Sequence, residues 1–141
     1  MKRFLSLACL VAAVAAGSFW LGHSTAEAQA RHRVFELRTY HAAEGKLPAL
    51  QSRFRDHTVT IFKKHGMTNI GYWNPADGPE KDNTLIYILA YPDREAAKKS
   101  WDGFRNDPEW KKVASESEVN GRLVTKVDSV YMEPTDYSPL K

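Results

Sequence analysis

The sequence has almost no cysteine, and this scarcity excludes several kinds of chemistry. Its single cysteine, Cys9, lies in the N-terminal segment. The rest of the chain can therefore form no disulfide and no zinc–sulfur site, and it offers no thiolate nucleophile. The stability of the folded domain must come from packing of apolar side chains.

The sequence also lacks a strong excess of charge of one sign. Its Lys and Arg residues number 20 against 17 Asp and Glu residues, and the two signs are interleaved along the chain. Nucleic acid requires a concentrated basic surface on its protein partner. We therefore expect no binding to nucleic acid.

Familiar catalytic and cofactor-binding motifs are absent as well. The chain contains no GxSxG, P-loop, GxGxxG or HExxH pattern, so serine hydrolysis, nucleotide hydrolysis and dinucleotide redox chemistry have no support. His57 and His65 are eight residues apart, whereas two ligands on one helical face need a spacing of about four. No metal site and no cofactor are predicted.

The one long apolar run lies at the N terminus. Positive residues 2 and 3 precede an apolar stretch over residues 4–16, and small residues follow at Ala26, Ala28 and Ala30. This order is typical of a secretory signal. We predict a signal peptide over residues 1–30, with cleavage after Ala28 or Ala30, and export to the periplasm or the medium.

A retained membrane anchor is the alternative interpretation of this segment. Residues 4–22 are interrupted only by serine and glycine, and they approach the roughly 20 apolar residues that a membrane span requires. A membrane would be a partner only in that case. Lipid attachment at Cys9 is a weaker option, because most of the apolar run follows the thiol. Residues 31–141 then form one domain.

Residues 31–141 combine strand and helix patterns. Period-two alternation and apolar runs predict strands at residues 34–41, 67–73, 85–91 and 124–132. Apolar residues at every third or fourth position predict a helix from Lys46 to Gly66 and another after Asp93, with a short second piece from Pro108. Residues 85–91 are apolar without a break, which predicts a strand covered on both faces.

The predicted order is strand, helix, strand, strand, helix, strand. This is the split βαβ arrangement of ferredoxin-like α+β domains, in which helices cover one face of a four-stranded antiparallel sheet. The opposite face would expose aromatic and apolar side chains, which is unusual for a soluble monomer. We therefore predict that two copies pair through this face as a homodimer.

Three segments of the chain resemble the NIPSNAP family, which belongs among the dimeric α/β-barrel proteins. They are FELRTY at residues 35–40 with its following Gly45, KKHGM at residues 63–67 leading into IGYW at residues 70–73, and FRNDPEW at residues 104–110. The resemblance implies a homodimer whose two sheets close into one barrel, with room for a small ligand in each subunit. It implies no particular reaction, because related barrels include cofactor-free oxygenases, haem proteins and muconolactone-isomerase-like enzymes.

Polar side chains at alternate positions of the first strand form a candidate site. Glu36, Arg38 and Tyr40 project to one face. If Phe35 and Leu37 pack under the helices, this polar row faces the barrel interior or the partner subunit. One interpretation is an ion pair that helps to set the register of the dimer, and another is plain solvent exposure. In a third, Arg38 anchors a carboxylate or enolate, Tyr40 donates a proton and Glu36 holds the guanidinium.

His57 is the best candidate for a general base, because unperturbed histidine titrates close to neutral pH. The helical spacing assigns either His57 or Thr58 to the apolar face and so predicts His57 on or beside that face, toward the sheet. A structural hydrogen bond is the alternative role there. A heavy aromatic set accompanies it, which suits either core packing or a flat apolar ligand: Tyr72, Trp73, Trp101, Phe104 and Trp110.

Three functional hypotheses follow. The first is an exported dimer that binds a small apolar or aromatic molecule between sheet and helices. The second is a cofactor-independent monooxygenase or isomerase that uses His57 as base with Arg38 and Tyr40. The third is a purely structural interaction module. The predicted ligand-binding residues are Glu36, Arg38, Tyr40, His57, Tyr72, Trp73 and Trp101.

Overall fold

The fold is known from a computed structural model that describes residues 33–141. The signal peptide predicted over residues 1–30, the alternative anchor over residues 4–22 and the lipid site at Cys9 lie outside the described residues and stay predictions. Within residues 33–141, no helix is both long enough and apolar enough to cross a membrane.

Strands and helices follow one another in the predicted order. The strands are β1 (Val34–Ala42), β2 (Thr68–Trp73), β3 (Thr84–Tyr91) and β4 (Val124–Met132). Helix α1 joins β1 to β2 and has three parts: an α-helical segment Leu47–Arg53, a π-helical turn Phe54–Thr58 and an α-helical segment Val59–Lys64. Helices α2 (Arg94–Asn106) and α3 (Pro108–Ser117) join β3 to β4.

The four strands form one antiparallel sheet in the order β2-β3-β1-β4. Helices α1 and α2 pack on the same face of this sheet. The evidence is that Phe54 of α1 lies 5.7 Å from the Tyr40 ring and that Trp101 of α2 hydrogen-bonds to Glu36, and these two β1 residues share a face. The ferredoxin-like α+β prediction is confirmed.

Side-chain caps and a glycine define the helix ends. Asp93 accepts a hydrogen bond from the Ala96 amide at 2.7 Å, which caps α2 as predicted. Asp107 accepts from the Glu109 amide at 2.8 Å and begins α3 with Pro108 in its first turn. Beyond α1, Gly66 takes a φ of +77°, the left-handed conformation that closes a helix.

Aromatic rings fill the space between sheet and helices. Phe62 lies 4.8 Å from Phe104 and 5.5 Å from Trp101, measured between ring centroids, and all three are buried. Tyr87 of β3 is fully buried beneath them, 6.0 Å from Phe62. Aromatic pairs in contact contribute about 1 kcal/mol each beyond the area that they bury. The core-packing interpretation therefore applies to Trp101 and Phe104.

The polar row faces the helices, and the assumption that Phe35 and Leu37 pack under them was wrong. Leu37 pairs with Val130 of β4 and with Ile88 of β3, and these side chains occupy the helix-free face. Alternation showed which residues share a face, but it could not show which face takes the helices. β3 lies in the middle of the sheet, as expected, and within one subunit Ile86 and Ile88 are half-buried on the helix-free side. Cover on that side depends on the predicted partner copy and stays a prediction.

We call the helix-free side of the sheet the bare face, and its apolar side chains include Leu37, Trp73, Ile86, Ile88 and Val130. Trp73 and Val130 are 49% and 55% exposed. The Trp73 ring lies flat over Gly71, where an added Cβ would come within 2.5 Å of the ring. The C-terminal tail borders this face, since Pro134 and Leu140 line a pocket together with Phe35 and Ile88.

Candidate functional site

A buried carboxylate at the centre of the polar row gathers four hydrogen bonds. Glu36 is 1% exposed. Its Oε1 accepts from Arg38 Nη1 at 2.7 Å and from Ser129 Oγ at 2.7 Å. Its Oε2 accepts from the Tyr91 hydroxyl at 2.8 Å and from Trp101 Nε1 at 2.7 Å. One side chain thus connects β1, β3, β4 and α2.

These bonds keep Glu36 ionised. Burial raises the pKa of the carboxyl, but the four donors outweigh burial and lower the pKa below its usual 4.5. Both oxygens are fully engaged, so a proton could be accepted only by breaking an existing hydrogen bond. The geometry describes a structural anchor rather than an acid or base.

Arg38 lies between two aromatic rings. Its guanidinium carbon is 4.3 Å from the centroid of Trp101 and 5.5 Å from that of Tyr40. Burial opposes its charge, but the oxygens of Tyr87, Tyr40 and Glu36 outweigh burial and raise the pKa of Arg38. The ion pair predicted for this row therefore forms, but it forms inside the subunit, against the helices.

Phenol groups continue the polar row toward β2. Tyr87 stacks on Tyr72 at 5.4 Å and meets Tyr40 edge-on at 5.3 Å. Burial raises the pKa of Tyr72 and of Tyr87, so both phenols stay protonated at neutral pH. The Tyr72 hydroxyl donates to Asn69, and among the described residues the Tyr87 hydroxyl has no partner.

An open pocket lies beside this cluster, between α1 and the β2–β3 edge of the sheet. We call it the α1–sheet pocket. Its volume is about 310 Å³, at the lower end of the range for small-molecule sites. Apolar walls meet a polar rim in its lining, which consists of Gln51, Phe54, Arg55, Val59, Tyr72, Asn74 and Leu85. Gln51 donates to Asn74 at 2.8 Å across the rim.

The structure brings together some of the predicted site residues and separates others. Glu36, Arg38, Tyr40 and Trp101 form one cluster, and Tyr72 connects it to the α1–sheet pocket. Trp73 does not belong to this site, since it lies on the bare face, on the opposite side of the sheet.

His57 also lies elsewhere, and the prediction that it points toward the sheet was wrong. Its side chain is exposed on the side of α1 that meets α3. Thr58 takes the buried position instead, and its hydroxyl donates to the Arg53 carbonyl at 3.2 Å. Both positions satisfy the helical spacing, since residue 57 lies three after Phe54 and four before Ile61, whereas residue 58 lies four after and three before them. His57, Arg38 and Tyr40 therefore do not converge.

Sequence reasoning missed several groups of this region, and among the residues that line the α1–sheet pocket it had named only Tyr72 as a site residue. Tyr91 and Ser129 donate to Glu36, and Leu85 lines the α1–sheet pocket. Leu85, Tyr87 and Tyr91 are separated by even numbers of residues along β3, so period-two spacing could have placed them on the same face. Ser129 could be placed beside Glu36 only with knowledge of the register between β1 and β4. No group of three potential metal ligands occurs within the described part of the chain.

Comparison with known proteins identifies relatives of this fold. The family model described as NIPSNAP matches residues 35–139. No curated protein matches the sequence at a significant level.

Three solved structures illustrate the similarity. A NIPSNAP family protein with unknown function from Agrobacterium tumefaciens is 24% identical, with a TM-score of 0.69 over 79% of this chain and 96% of the other. An uncharacterized NIPSNAP-like domain protein from Burkholderia xenovorans is 20% identical, with a TM-score of 0.67 over 77% and 90%. SnoaB, a cofactor-independent oxygenase from Streptomyces nogalater, is 15% identical, with a TM-score of 0.52 over 77% and 98%. These likenesses show the shared fold alone.

Proposed function

Because this chain belongs to the NIPSNAP family, we propose that it is an exported homodimer that binds a small apolar or aromatic molecule in the α1–sheet pocket of each subunit. The single observation that carries the proposal is the pocket itself. It is open, and it is walled by Phe54, Tyr72 and Leu85 at the edge of an otherwise filled aromatic core.

The lining suits a flat ring. Phe54 and Tyr72 meet edge-on at 5.8 Å, so a planar guest could contact the face of one ring and the edge of the other. Arg55, Gln51 and Asn74 at the rim could orient one polar substituent. Apolar walls with a few polar groups are the usual composition of a small-molecule site.

The same lining favours binding over catalysis. Among the described residues that line the α1–sheet pocket, none is His, Asp or Glu, so a proton-abstracting base is lacking there. The monooxygenase or isomerase alternative relied on His57 acting with Arg38 and Tyr40, which the fold keeps apart. The likeness to the oxygenase SnoaB extends only to the fold. The interaction-module alternative would leave the pocket without a ligand.

Export and dimerisation rest on separate observations. Positive residues 2 and 3, the apolar stretch and the alanines up to Ala30 support export. Exposed apolar side chains on the bare face, Trp73 and Val130 among them, support pairing with a second copy.

Indole is a suitable probe for the pocket, and methyl NMR can follow its binding. We expect saturable shifts of the Val59 and Leu85 methyl signals. Val59→Phe fills the pocket and should weaken indole binding by at least about tenfold, because the guest and the new ring would overlap. Val119→Phe is the matched control on an exposed position outside the pocket, and it should bind indole like the wild type. Equal binding by both variants, or shifts confined to Ile88 and Val130, would refute the proposal.

A further inference from the structure

A second pocket lies on the outer side of the helical layer, between α1 and α3. We call it the interhelix pocket. Its volume is about 450 Å³, and its lining consists of Ala49, Ser52, Arg53, Asp56, His57, Val113, Glu116 and Ser117. It shares no lining residue with the α1–sheet pocket.

Arg53 provides a buried positive charge in this pocket, and it is poorly paired. Its side chain is only 5% exposed. Nη1 reaches Ser117 Oγ and Glu118 Oε1 at 3.3 Å each, slightly beyond the usual range for such bonds. Among the described residues, Nε is buried without a partner. A buried guanidinium is normally paired at short distance, often through two parallel bonds. This one retains capacity for another carboxylate.

Two features hold this guanidinium in place. Trp110 lies beneath it, with its ring centroid 5.3 Å from the guanidinium carbon. The π-helical turn starts directly after Arg53, and turns of this kind recur at functional sites. Thr58 satisfies the carbonyl of Arg53 within the turn, so the irregular backbone costs little.

Two other side chains of the pocket carry the opposite charge. Asp56 and Glu116 are exposed side chains that line the same pocket. Within the described residues Asp56 makes no ion pair, and the closest cation to Glu116 is Lys112 at 3.9 Å. A simple anion would be repelled by these two carboxylates, whereas a simple cation would be repelled by Arg53. A ligand with both charges is complementary to the guanidinium and to the two carboxylates.

We propose that the interhelix pocket binds a small zwitterion of the α-amino acid class. The ligand carboxylate pairs with Arg53, and the ligand ammonium lies between Asp56 and Glu116. Ala49 and Val113 provide apolar contact for a short side chain. The Ser52 hydroxyl can complete the hydrogen bonds of either charged group. The Ser117 hydroxyl already donates to the Ala114 carbonyl, so toward a ligand it can only accept.

Three probe molecules test the two ligand charges separately. L-leucine carries both, 4-methylpentanoate lacks the ammonium, and 3-methylbutylamine lacks the carboxylate. In an NMR titration of the full domain that follows the amides of Ser52 and Ser117, leucine should bind at least about tenfold more tightly than either analogue. Equal affinity for leucine and 4-methylpentanoate would overturn the proposal, as would the lack of any shift at these amides with leucine.

Variants with changed exposed acids give the sharper test, because they do not disturb the core. The double variant Asp56→Asn, Glu116→Gln should weaken leucine binding by at least about tenfold, while binding of 4-methylpentanoate stays the same or tightens. Glu80→Gln, an exposed acid outside the pocket, is the control and should change neither affinity. Val59→Phe should leave leucine binding intact. A double variant that binds leucine like the wild type would overturn the proposal.

Discussion

At the scale of single residues, Glu36 is the side chain that connects most of the elements around the polar row. Its carboxylate joins a helix to three strands, and a buried charge is tolerated there because every lone-pair direction has a donor. Removing such a partner usually costs more than the net value of the bonds, since the remaining groups stay buried and unpaired.

Glu36→Gln should therefore destabilise the domain. The amide places donor hydrogens where Glu36 now accepts bonds from other donors, and it leaves Arg38 without a counter-charge. We expect a loss of about 3 kcal/mol in the free energy of unfolding by urea. Glu44→Gln, an exposed acid, is the control and should stay within about 0.5 kcal/mol of the wild type.

The contribution of Glu36 to the free energy of unfolding should also depend on pH. The pKa of Glu36 is lower in the fold than its usual 4.5, so its contribution is fully present above pH 4.5 and is lost as the pH falls through the lower folded pKa. The stability difference between wild type and Glu36→Gln should therefore shrink under acid conditions. A difference that is absent at neutral pH, or that grows in acid, would refute the structural role.

The sequence could predict that Glu36, Arg38 and Tyr40 share a face, but not which face. Hydrophobic periodicity identifies the buried side of a strand when only one side is covered. In β1 the helix-facing row is polar and the apolar Phe35 and Leu37 face the other way. Periodicity is then misleading, because hydrogen bonding rather than apolar burial places the row.

At the scale of helices and strands, ion pairs and hydrogen bonds connect the C-terminal end of α1 to the junction of α2 and α3. His65 Nε2 lies 2.6 Å from Asp107 Oδ2, and Lys64 Nζ reaches the same oxygen at 2.8 Å. Hydrogen bonds from Lys64 and His65 lower the pKa of the Asp107 carboxyl. The imidazole lies against Gly103 of α2, where an added Cβ would be 2.7 Å from Nδ1.

Gly103→Ala should consequently have opposite effects in two backgrounds. Alanine favours a helix interior by about 1 kcal/mol over glycine, but its Cβ would clash with the tethered His65 ring. We expect Gly103→Ala to destabilise the wild type and to stabilise His65→Ala by about 1 kcal/mol. Urea unfolding of the four proteins measures this coupling. The same effect in both backgrounds would show that the contact between residue 103 and the His65 ring does not affect the free energy of unfolding.

Most element boundaries could be predicted because caps and turn residues are local signals. Residues 124–132 were predicted as the last strand and form β4, and the Asp93 cap was predicted and is observed. The π-helical turn of α1 could not be predicted, since its residues satisfy the ordinary spacing of three or four. The same spacing fits positions 57 and 58 equally, so it could not decide that Thr58 rather than His57 is buried.

At the scale of the whole molecule, the order of elements was enough to predict the sheet topology, because few chain paths satisfy the rules for short and right-handed connections. The family resemblance carried by residues 35–40, 63–73 and 104–110 is confirmed. Pairing of two copies through the bare face stays a prediction. Its basis is the exposure of apolar side chains on one side of the sheet.

Light scattering at micromolar concentration measures the mass of the domain over residues 31–141 and so tests this pairing. Val130 and Val127 are 55% and 41% exposed on the same strand, but Val130 pairs with Leu37 on the bare face and Val127 pairs with Tyr40 on the helical face. We predict twice the chain mass for the wild type and for Val127→Lys, and a single chain mass for Val130→Lys, because a buried lysine would break the interface. A wild-type monomer, or equal masses for the two variants, would contradict the claim.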